Sequence, residues 1–220
     1  MIQARNLYLT YDNNKYIIKQ GNFSIKEGEF VFIGGNSGSG KSTLLKSFYG
    51  ELPIRHGELN IAKQSVVGIK GNKLRVLRKD IGIIFQDYKL INEFTIEENI
   101  MVPLRVNNYV EETSRKQADD LLRHVKLFHK KGYYPNQLSG GEQQRIAVAR
   151  ALAHNPKIII ADEPTGNLDD SSADVVWNLL KSANERLGIT IVVVTHRVPR
   201  HLGIKFRQLS IVEGVICEVS

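Results

Sequence analysis

The chain has 220 residues, 42% of them hydrophobic, enough for one well-packed globular unit. Its 30 Lys and Arg against 23 Asp and Glu give a formal net charge of +7, which suits a phosphate ligand, a nucleic acid or an anionic membrane face without choosing among them. A single cysteine, Cys217, excludes an internal disulfide; the N-terminus lacks the apolar stretch of a secretory signal, and no apolar run approaches the ~20 residues that span a bilayer, so any membrane role is expected to be peripheral.

In chain order, residues 2–10 alternate partly with the period of a strand, and Phe23-Ser24-Ile25 leads to a turn at Glu27-Gly28. Residues 29–33 form a second apolar strand that runs into a glycine-rich segment, and residues 41–49 read as a helix stopped by Gly50 and Pro53. A short buried-type strand is predicted over 81–85. The stretch 88–155 is more polar and helical in pattern, with Ala118, Leu121, Leu122 and Val125 on one helix face. Another apolar strand covers 157–162, an amphipathic helix 171–187, and a buried strand 189–194, before two edge strands around Glu213-Gly214. Strands alternating with helices argue for a largely parallel α/β core interrupted by a helical insertion.

Three segments carry chemistry. Gly35-Asn36-Ser37-Gly38-Ser39-Gly40-Lys41-Ser42 matches the nucleotide-binding pattern G-x-x-x-x-G-K-[ST] between a strand and a helix. Glycines let successive backbone N–H groups point at phosphates, and the helix that follows adds its positive end. Lys41 supplies a charge for the β- and γ-phosphates, and the Ser42 hydroxyl is placed to ligate Mg²⁺. Asp162 and Glu163 end the strand 157–162, at the carboxyl edge where ligands sit in an open α/β sheet. Asp162 suits a Mg²⁺-organising role, and Glu163 could orient or deprotonate an attacking water. Leu138-Ser139-Gly140-Gly141-Glu142-Gln143-Gln144-Arg145 opens a helix with a second cluster of backbone N–H groups. A capped helix start is the explanation that physics alone favours, and a second phosphate cradle is the alternative.

The segment 138–145 resembles the signature sequence of the ABC ATPases, and the family's other motifs occur in the family's order. Tyr11 resembles the aromatic that stacks on adenine, and Gln86 the Q-loop glutamine that touches Mg²⁺ or the water. Gly166-Asn167-Leu168-Asp169 resembles the D-loop at the dimer contact, and His196 the switch histidine that contacts the γ-phosphate. The resemblance implies a P-loop ABC nucleotide-binding domain: a RecA-like mixed-sheet core, an antiparallel β subdomain and a helical subdomain. It implies one domain over 1–220, with 1–87 and 156–220 as catalytic core and 88–155 as the helical part. ATP binding falls to Tyr11, Gly35, Asn36, Ser37, Gly38, Ser39, Gly40, Lys41, Ser42 and Thr43, and Mg²⁺ to Ser42, Gln86 and Asp162. Glu163, His196 and Gln86 are the implied catalytic set. Leu138, Ser139, Gly140, Gly141 and Glu142 would bind the ATP of a partner subunit, and Asp169 would sit at the contact.

The implied function is MgATP hydrolysis in a homodimer that drives a separate integral membrane protein from the cytoplasmic, inner face of the cell membrane. Residues 78–90 and 138–169 are most similar to the FtsE-type cell-division ATPases, which pair with an FtsX-like partner; lipoprotein-releasing and macrolide-export ATPases share the subgroup. In the family the partner docks around residues 88–94. A nucleic-acid-associated ABC ATPase is the alternative of a different class, and no nucleic acid is expected. The basic segment 70–79 has no interleaved aromatic, so we expect a solvated helix face. His124 and His129 are badly spaced for a shared metal, and no zinc site is expected.

Overall fold

The computed structural model describes residues 1–12, 15–199 and 202–219. Its strands, in chain order, are β1 (Ile2–Leu9), β2 (Ile18–Ile25), β3 (Phe30–Gly34), β4 (His56–Ile61), β5 (Gln64–Ser65), β6 (Ile81–Ile84), β7 (Ile158–Asp162), β8 (Thr190–Val194), β9 (Arg207–Val212) and β10 (Val215–Val219). Its helices are α1 (Lys41–Phe48), α2 (Gly71–Lys79), α3 (Ile96–Val106), α4 (Glu111–His124), α5 (Gly140–Leu152) and α6 (Asp170–Leu187). One sheet is antiparallel, in the order β2-β1-β4-β5; the other runs β10-β9-β3-β8-β7-β6, parallel except for β10.

The large sheet is a wall between two cores. Side chains alternate across a strand, so Phe30, Phe32, Ile159, Ala161, Ile191 and Val193 join the core under α3 to α6. Their neighbours Val31, Ile33, Ile158, Ile160, Val192 and Val194 join the core under α1 and the antiparallel sheet. Burial on both faces is why these strands read as continuous apolar runs.

The fold is mixed α/β with an antiparallel sheet and a helical layer, as the sequence predicts, but two particulars differ. The β4–β5 hairpin is absent from the expectation, because in β4 only Leu59 and Ile61 are fully buried. Of the two expected edge strands, β10 is one, whereas β9 lies between β10 and β3. Its polar start conceals this. Arg207 donates to Glu29, ahead of β3, at 2.8 Å and to Glu218 on β10 at 2.9 Å, while Leu209 and Ile211 are buried. The basic segment forms α2, which buries only Leu77, in keeping with a solvated face.

Residues 88–155 carry α3, α4 and α5. Thr95 caps α3: its hydroxyl accepts from the Glu98 amide, and the Glu98 carboxylate accepts from the Thr95 amide at 2.8 Å. These bonds hold the Glu98 carboxyl below its ordinary value. Buried Asn99 fastens the preceding loop by accepting from the Ile91 amide and donating to the Ile91, Phe94 and Thr95 carbonyls. Replacing Thr95 with Ala should cost about 1 kcal/mol, read as a fall of roughly 2–4 °C in melting temperature for a chain of this size. The end of α5 is pressed against β6 with no side chain between them: a Cβ on Gly82 would lie 2.3 Å from the Ala151 carbonyl oxygen.

Candidate functional site

At the carboxyl ends of the parallel strands β3, β7 and β8, the loop 35–40 opens onto a cleft of about 910 Å³. Two glycines are compulsory there. A Cβ on Gly35 (φ 142°) would lie 2.6 Å from Ser39 Oγ, and one on Gly40 (φ 104°) 2.6 Å from the Ile17 side chain. Lys41, the first residue of α1, folds back over the loop and donates to the carbonyls of Gly35 at 2.8 Å and Asn36 at 3.0 Å. The Ser39 hydroxyl is buried without a hydrogen-bond partner, an unmet polar group in the wall of a phosphate-sized loop.

Two carboxylates face this loop. Burial pushes the Asp162 carboxyl above its ordinary value, a bond from the Ser42 hydroxyl pulls it down, and Glu163 beside it raises it again. Glu163 turns out of the strand with φ 45° and accepts three bonds: from Thr195 Oγ1 at 3.0 Å, from the His196 amide at 3.0 Å, and at 2.9 Å from His196 Nδ1 in the tautomer that carries the proton there. Gln86, just beyond β6, lines the same cleft.

Of the residues expected from the sequence, Ser37, Gly38, Ser39, Gly40, Lys41, Ser42, Thr43, Gln86, Asp162, Glu163 and His196 meet in the cleft. Gly35 and Asn36 lie one step behind, holding the lysine. Tyr11 does not line the cleft; it is 59% exposed, with the Lys46 ammonium 6.0 Å from its ring centroid. Tyr16 lines the cleft instead, seated edge-on against Tyr8 (5.1 Å) and His56 (6.0 Å). Lys15, Ile17, Lys19, Glu213 and Gly214 also line it and are not among the site residues expected from the sequence. The loop 15–19 and the β9–β10 turn meet through the Lys19 amide and the Gly214 carbonyl at 2.8 Å, a contact no local motif announces.

Residues 138–142 stand outside the cleft. Ser139 caps α5 by accepting from the Glu142 amide, and Glu142 returns the bond while pairing with Lys130 at 2.5 Å. Asp169 caps α6: the Ser172 amide and the Ser171 hydroxyl hold its carboxyl well below the usual range. The two helix starts adjoin, since a Cβ on Gly141 would lie 2.7 Å from Ser172 Oγ. Of the predicted docking segment, Lys89 and Ile91 line a separate groove of about 500 Å³, whereas Leu90 packs on the core.

A phosphate loop, two carboxylates at a strand end and a capped Leu-Ser-Gly-Gly helix start define a nucleotide-hydrolysing cassette. The sequence profile described as "ABC transporter" matches residues 18–166, and the chain belongs to the ABC transporter ATPase family. The chain is 40% identical to "Cell division ATP-binding protein FtsE" of Streptococcus pneumoniae serotype 2, across 97% of this chain and 93% of that protein. It is also 40% identical to "Methionine import ATP-binding protein MetN" of Clostridium acetobutylicum, across 99% of this chain and 68% of the relative. Among solved structures, a dimeric post-hydrolysis state of the ATP-binding cassette MJ0796, bound to ADP and Pi, superposes with a TM-score of 0.89 at 38% identity, covering 100% of this chain and 98% of the other. The chain is an ABC-type ATPase.

Proposed function

We propose that the chain binds MgATP in the 910 Å³ cleft, pairs with a second copy, and couples turnover to a separate integral membrane partner. One observation carries this reading: the phosphate loop, Asp162 and Glu163 share a cleft from which residues 138–142, the other half of the family's site, are excluded. A second copy supplies the missing half, and the dimeric state described for the MJ0796 cassette supports that arrangement.

In this reading Lys41 and the N–H groups of residues 35–43 hold the phosphates; Tyr16, which lines the cleft, is the ring within reach of adenine, and Tyr11, which does not, would have to turn inward to stack on it. Ser42, Asp162 and Gln86 offer the few oxygen ligands with which proteins hold Mg²⁺ alongside phosphates, and the raised Asp162 carboxyl fits a position that a dication would favour. Held by these residues, the ion would supply charge neutralisation to the phosphates. Glu163 takes the proton of the attacking water as its oxygen bonds to the γ-phosphorus and the bond to ADP breaks; His196 orients that carboxylate and contacts the γ-phosphate. Leu138, Ser139, Gly140, Gly141 and Glu142 cradle the partner subunit's ATP, with Asp169 at the contact. Residues 88–155 act as a helical subdomain against a catalytic core of 1–87 and 156–220.

We assign the membrane partner to the FtsX-like class and the role to cell division and control of peptidoglycan hydrolysis, on the 40% identity to FtsE across nearly both chains. The chain then works at the inner face of the membrane; among the described residues no helix is long and apolar enough to cross one. Export of a lipoprotein or a macrolide-type substrate is the alternative within the subgroup, and the match to MetN brings import into the same comparison. Gentle affinity purification of the tagged chain from membranes, followed by identification of what co-purifies, separates them. A partner with roughly four spans and one large outer domain is expected from the family analogy. A partner with about twice as many spans, or a bound lipoprotein, would overturn the division role, and stimulation of ATPase activity by DNA or RNA with no membrane partner would overturn the coupling itself.

A further inference from the structure

Directly after Gln86 the backbone does something L-residues avoid. Tyr88 (φ 60°) and Lys89 (φ 50°) are both left-handed and consecutive, and neither is glycine. Such a turn persists only where its surroundings hold it. The holder is Arg150, in the last turn of α5. One guanidinium nitrogen donates to the Lys89 carbonyl at 2.6 Å and the other to the Tyr88 carbonyl at 2.7 Å. No carboxylate forms an ion pair with Arg150 among the described residues. A half-buried cation is thus committed to two neutral acceptors, a costly arrangement for a side chain that only fills space.

The same turn reaches the other end of α5. Tyr88 Oη lies 3.0 Å from the point where a Cβ on Gly140 would stand, so the tyrosine crosses from the turn to the first residue of the helix. On its near side, the Gln86 carbonyl accepts from Asn167 Nδ2 at 3.4 Å, and Gln86 lines the nucleotide cleft. On its far side, Lys89 and Arg150 line the 500 Å³ groove together with Phe85, Ile91, Val102 and Val106. One short segment therefore joins the cleft, the groove and both ends of the helix that carries residues 140–142.

We propose that Arg150 is a positioning residue that clamps the 86–89 turn to α5, so that the turn and the signature helix move as one body. This rests on the reading of residues 138–142 as the cradle for the partner subunit's ATP. Any displacement of the turn, whether from a nucleotide at Gln86 or a partner in the groove, is then transmitted to Gly140 through two parallel hydrogen bonds and one aromatic contact. What the clamp needs is the planar fork: an ammonium keeps the charge and can serve two carbonyls, as Lys41 does, but its shorter stem and rotating donors do not reproduce the fork's fixed reach and spacing.

Arg150→Gln and Arg150→Lys, made in the full chain, test this by steady-state hydrolysis and by MgATP titration of the purified protein. The cleft of each subunit is intact in both variants, so the MgATP Kd and KM should stay within about twofold while kcat falls at least about tenfold, the pattern of an interaction that matters only once the site is assembled. The Lys variant should sit within about threefold of the Gln variant. Full recovery of kcat by Lys, kcat within twofold of wild type in both, or a rise in Kd parallel to the loss of kcat would each overturn the clamp, the last by making Arg150 a general support of the fold. If the Gln chain does not fold, the Lys chain alone decides by the same criteria. A wild-type chain that fails to bind MgATP in the same titration overturns the functional reading, and the clamp with it.

Discussion

Glu163→Gln should lower steady-state ATP hydrolysis by about 10²–10⁴-fold, the range over which a positioned general base contributes, while MgATP binding stays within a few-fold of wild type. The substitution is nearly isosteric. The carbonyl oxygen it leaves can take the place of Oε1, which serves both the His196 amide and His196 Nδ1, or of Oε2, which serves Thr195 Oγ1, but it removes the charge and the capacity to take a proton. In the proposed reading the phosphate contacts come from residues 35–43, in the loop before α1 and the start of that helix, so binding should survive. Nucleotide should remain trapped unhydrolysed, and light scattering should show a dimer that persists with MgATP and dissociates when Mg²⁺ is chelated. Turnover within tenfold of wild type would remove Glu163 from the role of base; a variant that holds ATP but stays monomeric would remove residues 138–142 from the role of second cradle.

Phe32→Ala should cost about 3–5 kcal/mol of folding free energy, the range for truncating a buried aromatic. Phe32 has no exposed surface, and its ring lies 5.3 Å from Phe30, 5.8 Å from Trp177 and 5.0 Å from Phe206, centroid to centroid. It stands three residues before Gly35, on the strand that presents the phosphate loop, and Trp177 is on α6. The cavity therefore opens directly behind the site. Ile33→Val, one residue on and facing the opposite core, should cost only about 0.5–1.5 kcal/mol. Urea titrations of the two variants check the contrast; equal midpoints would mean that the helical side of the wall collapses around the missing ring.

The elements legible in the sequence are those whose reason for existing is local. β3, β7 and β8 are apolar over nearly their whole length because both faces are buried, and the phosphate loop is legible because its glycines and lysine act within eight residues. What escaped depends on neighbours far along the chain. The lining of the cleft by Lys19 and Gly214 exists because the β9–β10 turn packs on the start of β2, and the inner position of β9 depends on Arg207 finding Glu29 and Glu218 on either side. Tyr11 and Tyr16 are equivalent to a reader of sequence; only the edge-on seating of Tyr16 by Tyr8 and His56 distinguishes the ring that lines the cleft. Thr95-x-x-Glu98 and Ser139-x-x-Glu142 are both written in the sequence as helix starts, yet a cap does not announce what else its hydroxyl serves.

The missing side chain at Gly82 gives α5 a fulcrum. With the Ala151 carbonyl seated against Gly82, that end of the helix has no room to move inward, so a tilt of the helix would turn about it. Gly140 lies eleven residues away along the axis, about 16 Å at 1.5 Å per residue, so a tilt of about 10° at the fulcrum carries the helix start through roughly 3 Å, about the length of one hydrogen bond. If residues 140–142 cradle a partner's phosphate, as proposed, a lever of these proportions would turn a small tilt into the difference between contact and none. Any side chain at position 82 would lift the helix off its bearing.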